Sequence, residues 1–466
     1  MIRQHFDGLA FDYLRLKGRH RYYNDYLVRW CRSLLPPGRK VLDVGCGRGD
    51  VLAAVEPCEG VGIDLSANMI ECARADHPEL KWEQMAIEDF GGEGGYDAVL
   101  CVNTLEYTND VGAVLERVHG TLRDNGRVFI TSGNPLWSPI FKMASALKLR
   151  MPECQRLFLT NKDLVNLLRL HGFEVVYEKM GLLVPTEALW VGAFVNWLIP
   201  RVPVLRLLCS MQLIVARKVP SGRVDYSVSI VIPCHNESEN VAACVRETPK
   251  LGTRTELIFV DDGSSDGTAA AIEAGLNPEL GVKVVSYSPN RGKGHAVKVG
   301  FDVATGDVIM VLDADLTTHP SELRPLYEAF ATGRAEFVNC TRMIYPREDG
   351  AMKFANYVGN KLFAILVSLI MEARVSDTLC GTKAMFRRDY EHMTMGRDPW
   401  GDYDFLFGAA QLRLVIRELP VHYRQRTAGQ SKMRAMKHTV NLLRMCWKGF
   451  WQVKTLRPLS SVGRLG

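Results

Sequence analysis

The sequence has no long uninterrupted apolar run, no closely paired cysteines and no strong excess of either charge, and each absence narrows what the chain can be. No stretch reaches the roughly 20 apolar residues that a membrane-spanning helix needs. The longest run is Leu362 to Met371, and a second apolar stretch, Leu182 to Cys209, is broken by Glu187, Asn196, Arg201 and prolines. Such segments can lie on a membrane but are not expected to cross it. The 12 cysteines are scattered singly, without CxxC spacing or neighbouring histidines to complete a zinc pattern. Buried thiols in a reducing cytoplasm are therefore expected. The first residues, Met1 to His5, lead into charge rather than an apolar segment, so no secretory leader is read. A net charge of +5 is too mild to argue for nucleic acid as a partner. Nothing resembles a phosphate-binding P-loop, which argues against a nucleotide triphosphatase. Internal repeats and low-complexity tracts are also missing.

What is present is two successive αβ patterns in 466 residues, enough for two to four domains at about 100–200 residues each. They separate near residues 216–227, where Arg217 to Arg223 is basic and contains Pro and Gly. The expected division is 1–217, a linker 218–226, a second domain 227–433 and a basic tail 434–466. In the first half, Lys40–Val44, Gly60–Ile63, Ala98–Val102 and Arg127–Thr131 read as strands alternating with helices, and Gln212–Ala216 as a closing strand. In the second, Val228–Ile232, Glu256–Val260, Val282–Ser286 and Asp307–Leu312 read the same way. The fold class expected is α/β, with two mostly parallel sheets each covered by helices.

The segment Val41 to Asp50 carries a strand into Gly45, Gly47 and Gly49. Glycine lets backbone approach a ligand at the carboxyl end of a first strand. The next strand ends in Asp64, which suits ribose hydroxyls. A dinucleotide site would use GxGxxG. Here the spacing is GxGxG and the strand carries Asp43, a charge that opposes a pyrophosphate but suits a cationic ligand. S-adenosylmethionine, a sulfonium with an amino-acid tail, fits better than NAD.

With Asp43-Val44-Gly45-Cys46-Gly47, Gly62 to Ser66, Tyr96 to Leu100 and Leu122 to Arg127, residues 5–217 resemble the class I S-adenosylmethionine-dependent methyltransferases, which have a Rossmann-like sheet. The resemblance implies that Gly45 and Gly47 line the methionine part, that Asp64 holds the ribose and that Asn103 lies beside the donor sulfur. Two positions depart from the family. Ala86 stands where an acid often precedes the adenine loop, with Glu88 as a substitute or backbone alone serving; Tyr107 stands where His is common. A phenol with a reference pKa near ~10 is a poor base, so no catalytic base is expected and proximity carries methyl transfer. Pro135 to Phe141 and the stretch Leu182 to Cys209 read either as a helical lid or as an acceptor site for a greasy or membrane-held molecule.

In the second half, a strand ends at Pro233 and turns through Cys234-His235-Asn236-Glu237. A second ends at Asp261-Asp262-Gly263-Ser264, and Asn290 to Ala296 forms a Gly-flexed loop with Lys293, a point charge for phosphate. Asp313-Ala314-Asp315 ends a buried strand. Two acids at i and i+2 on a strand point the same way and repel unless a cation joins them. A hard divalent ion takes one or two carboxylates plus substrate phosphates, and neutralising a leaving diphosphate is the chemistry of sugar transfer.

Together with Asp377 to Lys383, Arg424-Gln425-Arg426 and Gly429 to Lys432, these motifs make residues 226–455 similar to inverting family 2 glycosyltransferases of GT-A fold, dolichyl- or polyprenyl-phosphate sugar synthases in particular. The resemblance implies a nucleotide-diphosphate sugar as donor and a lipid phosphate as acceptor. Pro233, Glu237 and Asp262 would hold the nucleoside, and Asp313 and Asp315 would bind Mg²⁺ or Mn²⁺. Thr317 stands where relatives have Gln, which puts a third side-chain ligand in doubt. Asp402 and Asp404 fall in the acceptor-side acid region, as bases for a hydroxyl or as orienting groups for a phosphate. Arg342, Arg424, Arg426 and Lys432 are candidates to grip phosphate. His235, His295 and His319 read as loop or packing residues. The tail 434–457 sets Val440, Leu443, Trp447 and Trp451 at helical spacing among Arg and Lys. It is either a helix for an anionic membrane surface or one packed on its own domain, and peripheral attachment to the inner face of a membrane is expected. A rival reading keeps the sugar transferase but gives it a hydroxyl acceptor in polysaccharide synthesis, beside a methyltransferase domain that only binds S-adenosylmethionine.

Overall fold

The computed structural model describes residues 2–10, 21–90, 94–147, 157, 159–184, 189–201, 205–274, 280–345, 354–395, 401–424 and 435–455. The chain divides into two units, with the boundary between Ser221 and Gly222.

The first unit is built on a seven-stranded sheet. Its strands are β1 (Lys40–Val44), β2 (Glu59–Asp64), β3 (Lys81–Gln84), β4 (Tyr96–Val102), β5 (Leu122–Gly133), β6 (Phe173–Gly181) and β7 (Met211–Lys218), in the order β3-β2-β1-β4-β5-β7-β6. The five from β3 to β5 run parallel; β7 is antiparallel to both neighbours. The strand read as closing the unit thus lies inside the sheet, between β5 and β6. Alternate strand residues feed opposite faces. Leu42, Val99 and Val128 join one buried cluster, whereas Val41, Leu100 and Phe129 join another with Trp30 of the helix Arg21–Leu34. Both faces are therefore apolar and covered, as a parallel sheet requires. The chain order reverses between β1 and β4, the place where sheets of this kind open a ligand crevice at the carboxyl ends of the strands.

The second unit repeats the plan. Its strands are β8 (Val228–Cys234), β9 (Thr255–Asp262), β10 (Gly281–Tyr287), β11 (Val308–Val311), β12 (Phe337–Thr341), β13 (Lys383–Phe386) and β14 (Ile416–Pro420), in the order β10-β9-β8-β11-β13-β12-β14. From β10 to β11 the strands are parallel. β13 runs against β11 and β12, and β14 is parallel to β12. The carboxyl ends of β8 to β12 and β14, and the start of β13, therefore lie on one edge. The switch in chain order falls between β8 and β11.

One expectation is corrected here. Asp313 and Asp315 do not end a strand: β11 stops at Val311 and both acids sit in the turn beyond it. The turn is fixed by Asp315 Oδ1, which accepts from Thr317 N at 3.1 Å and Thr317 Oγ1 at 2.7 Å, and by Leu316 in the left-handed region at φ 55°.

The basic tail forms the helix Ala435–Lys454, and one face of it packs on its own domain. Leu442, Met445, Cys446 and Val453 are buried against the unit, next to the helices Phe354–Met371 and Asp402–Gln411, while Val440, Leu443 and Trp447 face outward. Among the described residues no helix is long and apolar enough to cross a membrane.

Candidate active sites

In the first unit the glycine loop after β1 folds back on the end of β2. Gly47 N donates to Asp64 Oδ2 at 2.9 Å, and Ser66 N donates to Asp64 Oδ1 at 2.9 Å. Asp64 thus pins the loop. Gly45, at φ 70°, has no room for a side chain: a Cβ would come within 2.6 Å of Thr104 Oγ1. Thr104 Oγ1 in turn donates to Val44 O at 2.8 Å, which ties the end of β4 to the end of β1.

Asp43 is buried beneath this loop, and no hydrogen bond or ion pair reaches its carboxylate among the described residues. Burial, with Asp64 and Asp50 nearby, pushes its carboxyl up to about 8. Burial raises Asp64 as well. A carboxyl in this setting keeps its proton unless a positive charge comes beside it.

Asn103 closes the crevice at the end of β4, held at φ 55° by Thr131, to which its backbone N–H donates. Its side chain engages Thr131 Oγ1 at 3.1 Å and Tyr23 Oη at 3.0 Å. Asp7 accepts from Ser66 Oγ at 2.6 Å, and Phe6 sets its ring edge-on against Tyr107 at 5.3 Å. Tyr107 is thereby part of the packing between the N-terminal helix Ile2–Leu9 and the crevice wall. Glu88 lies exposed on the turn Ile87–Asp89, where its carbonyl accepts from Arg117.

In the second unit all the polar turns converge on the carboxyl edge. Asp262, ending β9, accepts from Arg291 N at 2.7 Å and Gly292 N at 2.8 Å, so it shapes the basic loop that launches the helix Lys293–Val303. From the start of that helix, Lys293 Nζ lies 2.5 Å from Asp313 Oδ1. Burial works against the Lys293 ammonium, but Asp313 and Asp402 hold it above its usual range; Lys293 in return pulls Asp313 down against burial. A Cβ on Gly381 would run into both Lys293 Nζ and Asp313 Oδ2, so a side chain here would displace the ion pair.

Lys383, opening β13, is fully buried and donates to Asp402 Oδ1 at 2.8 Å and to Cys380 O. Asp402 and Asp404 are both buried in the first turn of the helix Asp402–Gln411. Lys293, Asp313, Asp315, Lys383 and Asp402 form one alternating set of charges, each within electrostatic reach of another.

Two stretches of the chain match known families: residues 16–178 match the family described as a methyltransferase domain, and residues 229–393 match glycosyl transferase family 2. The chain joins a methyltransferase domain to a family 2 glycosyltransferase domain. It is 40% identical over 112 residues to the undecaprenyl-phosphate 4-deoxy-4-formamido-L-arabinose transferase of Pectobacterium carotovorum subsp. carotovorum, covering 23% of this chain and 34% of that protein. To the transferase of the same name in Enterobacter sp. it is 30% identical over 223 residues, 47% of this chain and 65% of that protein. The chain thus spans between one third and two thirds of the length of these curated relatives. Among solved structures it is similar to the magnesium protoporphyrin IX methyltransferase of Synechocystis PCC 6803, with 19% identity and a TM-score of 0.34 over 47% of this chain and 98% of that one. A second is an S-adenosylmethionine-dependent methyltransferase of Mesorhizobium loti, with 20% identity and a TM-score of 0.31 over 39% and 91%.

In the glycosyltransferase domain, Pro233 lies on β8, and Glu237 starts the helix Ser238–Glu247, where it accepts from Asn240 at 2.7 Å. Arg342 is nearly buried, and its Nε and Nη2 clasp Asp377 at 2.7 and 2.8 Å. Against burial, that clasp holds Asp377 down to about 2. Arg424 N donates to Thr317 O at 2.9 Å, which sets this exposed arginine beside the Asp313–Thr317 turn. Arg426 and Lys432 lie outside the described residues.

The sequence assigned no role to Tyr23, Thr131 or Lys383, although Lys383 closes the motif Asp377 to Lys383. A lysine opening an apolar strand, just after Asp377–Thr382, was the available signal for the last. Among the described residues no group of three or more His, Cys, Asp or Glu gathers as a metal cage. Asp313 and Asp315 offer two carboxylates. That set fits an ion such as Mg²⁺, which completes its shell with water and substrate phosphate rather than with protein.

Proposed function

We propose that this chain is a bifunctional transferase. Its methyltransferase domain moves methyl from S-adenosylmethionine. Its glycosyltransferase domain moves a sugar, with inversion, from a nucleotide-diphosphate sugar to a polyprenyl-phosphate-like lipid. The observation that carries the second half is the alternating charge set Lys293, Asp313, Asp315, Lys383 and Asp402 at the carboxyl edge of the sheet. It has two acids that would hold a metal ion and, in Lys293, an ammonium that would meet phosphate. The names of the curated relatives supply the lipid phosphate as acceptor class.

Chemically, an acceptor phosphate oxygen attacks the anomeric carbon from the face opposite the diphosphate. The new C–O bond forms as the old one breaks, and the bonding pair leaves with the nucleoside diphosphate. A bound Mg²⁺ or Mn²⁺ would supply charge neutralisation on that leaving group, held by Asp313 and Asp315. The acceptor is already an anion and needs no base. Lys383 holds Asp402 in an ion pair, which makes it an orienting group. In the methyltransferase domain, Asp43 is the counter-charge for the cationic cofactor, Asp64 and the glycine loop hold the nucleoside and methionine parts, and Asn103 faces the transferring methyl. Tyr107 packs against Phe6 and serves as wall. The outward Val440, Leu443 and Trp447, flanked by Arg444 and Lys448, favour peripheral attachment to a membrane.

The test is purified protein with Mn²⁺, polyprenyl phosphate and a panel of labelled nucleotide sugars, followed by organic extraction. The reading requires label in the organic phase with at least one donor and its loss in Asp315→Ala. A second reading, a hydroxyl acceptor, is favoured by Asp404, a second buried acid beside Asp402. Asp404→Asn separates the two, being nearly silent for a phosphate acceptor and severe for a hydroxyl.

A further inference from the structure

The methyltransferase domain carries an amphipathic helix turned outward. From the turn Pro135–Trp137 through the helix Ser138–Ala146 to the residue after it, Leu136, Ile140, Met143 and Leu147 are 69%, 45%, 60% and 63% exposed. Their spacing of four, three and four residues puts them on one helical face. That stripe is normally the buried one, yet this helix buries no residue at all.

A second outward apolar segment adjoins it. Phe194 and Trp197, stacked on the helix Leu189–Leu198, are exposed, as are Leu207 and Leu208. Polar bonds weld the two segments together. Trp137 Nε1 donates to Leu208 O at 2.7 Å, and Asn134 Nδ2 donates to Leu207 O at 2.9 Å and Cys209 O at 2.7 Å. The patch is thus a braced surface.

Within the described residues of these segments, 134–147, 189–201 and 205–210, the sequence has no Asp or Glu, while Lys142 and Arg206 stand exposed; Glu153 and Glu187 come next along the chain. An apolar face with basic residues and no acids complements an anionic bilayer.

The patch also joins the cofactor crevice. Asn134 follows the carboxyl end of β5, next to β4 and Asn103. Two consecutive tyrosines link them: Tyr22 Oη accepts from Asn196 on the apolar helix, and Tyr23 reaches Asn103.

We propose that the methyltransferase domain docks by this face onto an anionic lipid bilayer and takes its methyl acceptor from that bilayer. The docking half stands on the surface alone; the acceptor half rests on the methyl transfer proposed above.

The test is co-flotation of the full chain with phosphatidylcholine vesicles, with and without phosphatidylglycerol. Leu443→Glu with Trp447→Glu first disarms the tail helix. In that background the protein still floats with anionic vesicles, and adding Ile140→Glu and Met143→Glu lowers the bound fraction about tenfold. Arg206→Glu weakens flotation with anionic vesicles and leaves neutral ones unchanged. The proposal is overturned if the tail variant alone abolishes flotation or if the Ile140 and Met143 changes do nothing. It is equally overturned if those changes split a dimer seen by light scattering, which would make the face a contact between copies. S-adenosylmethionine binding by calorimetry, run on every variant, keeps the questions apart. Unchanged binding with lost flotation supports docking; absent binding in the starting protein refutes the methyltransferase reading while leaving the docking result standing.

Discussion

Asp43 makes a prediction with a sign and a size. Its carboxyl, buried beneath the glycine loop beside Asp64 and Asp50, is raised to about 8 from an ordinary value near 3.9. Without cofactor it therefore carries a proton at pH 6. A cationic cofactor binds best to the ionised form, so binding at low pH must first remove that proton. Ionised fractions of roughly 1% at pH 6 and 24% at pH 7.5 give an affinity for S-adenosylmethionine that rises about 25-fold between them, or about 1.9 kcal/mol at about 1.36 kcal/mol per tenfold. In Asp43→Asn this part of the rise disappears, and affinity at pH 7.5 falls. Stability moves the other way. Between about pH 4 and 8 the native ligand-free protein holds a proton that the unfolded chain has released, so this group's contribution to stability is lost as pH climbs through that window. Titration calorimetry at three pH values, with thermal unfolding of the ligand-free protein alongside, checks both. Equal pH dependence in the wild type and Asp43→Asn refutes the assignment of Asp43 as counter-charge.

Other predictions follow from the glycosyltransferase domain. Gly381→Ala places a methyl group against Lys293 Nζ and Asp313 Oδ2 and should cut sugar transfer by at least about tenfold with little change in far-ultraviolet circular dichroism; full activity would show that the close approach is dispensable. Lys383→Met leaves Asp402 nearly buried and unpaired by lysine, at a cost of about 3–5 kcal/mol in urea unfolding, and adding Asp402→Asn should restore part of it. Asp377, held at about 2, contributes stability that is present above about pH 4 and fades as pH falls toward 2; Asp377→Asn should flatten that part of the acid-unfolding curve.

The parallel strands at both switch points were readable because each is an apolar run that stops at a turn residue. Lys40–Val44 and Val228–Ile232 are of this kind, and β1 and β8 contain them. The two strands that escaped in the first unit do not look apolar. Lys81–Gln84 is an exposed edge with one buried tryptophan, and Phe173–Gly181 carries two glutamates and a lysine. Lys383 opens a four-residue strand and is buried because an acid 19 positions later neutralises it, a pairing that spacing along the chain does not reveal. Asp313 and Asp315 were found by type, but their backbone was misplaced: the capping of Asp315 by Thr317 turns the chain just after β11. Arg342 was legible as a charge that binds an anion; the anion in the structure is Asp377.

The most direct test of two transferases in one chain is a dual-label experiment on the purified protein. It is given S-adenosylmethionine tritiated in the methyl group, a ¹⁴C-labelled nucleotide sugar that passes the donor screen, Mn²⁺ and polyprenyl phosphate, and the lipid fraction is counted. Both labels should enter that fraction, with Asp43→Asn depressing tritium and Asp315→Ala abolishing ¹⁴C. Tritium at background while ¹⁴C is transferred would contradict the account and leave the methyltransferase domain as a binder of S-adenosylmethionine.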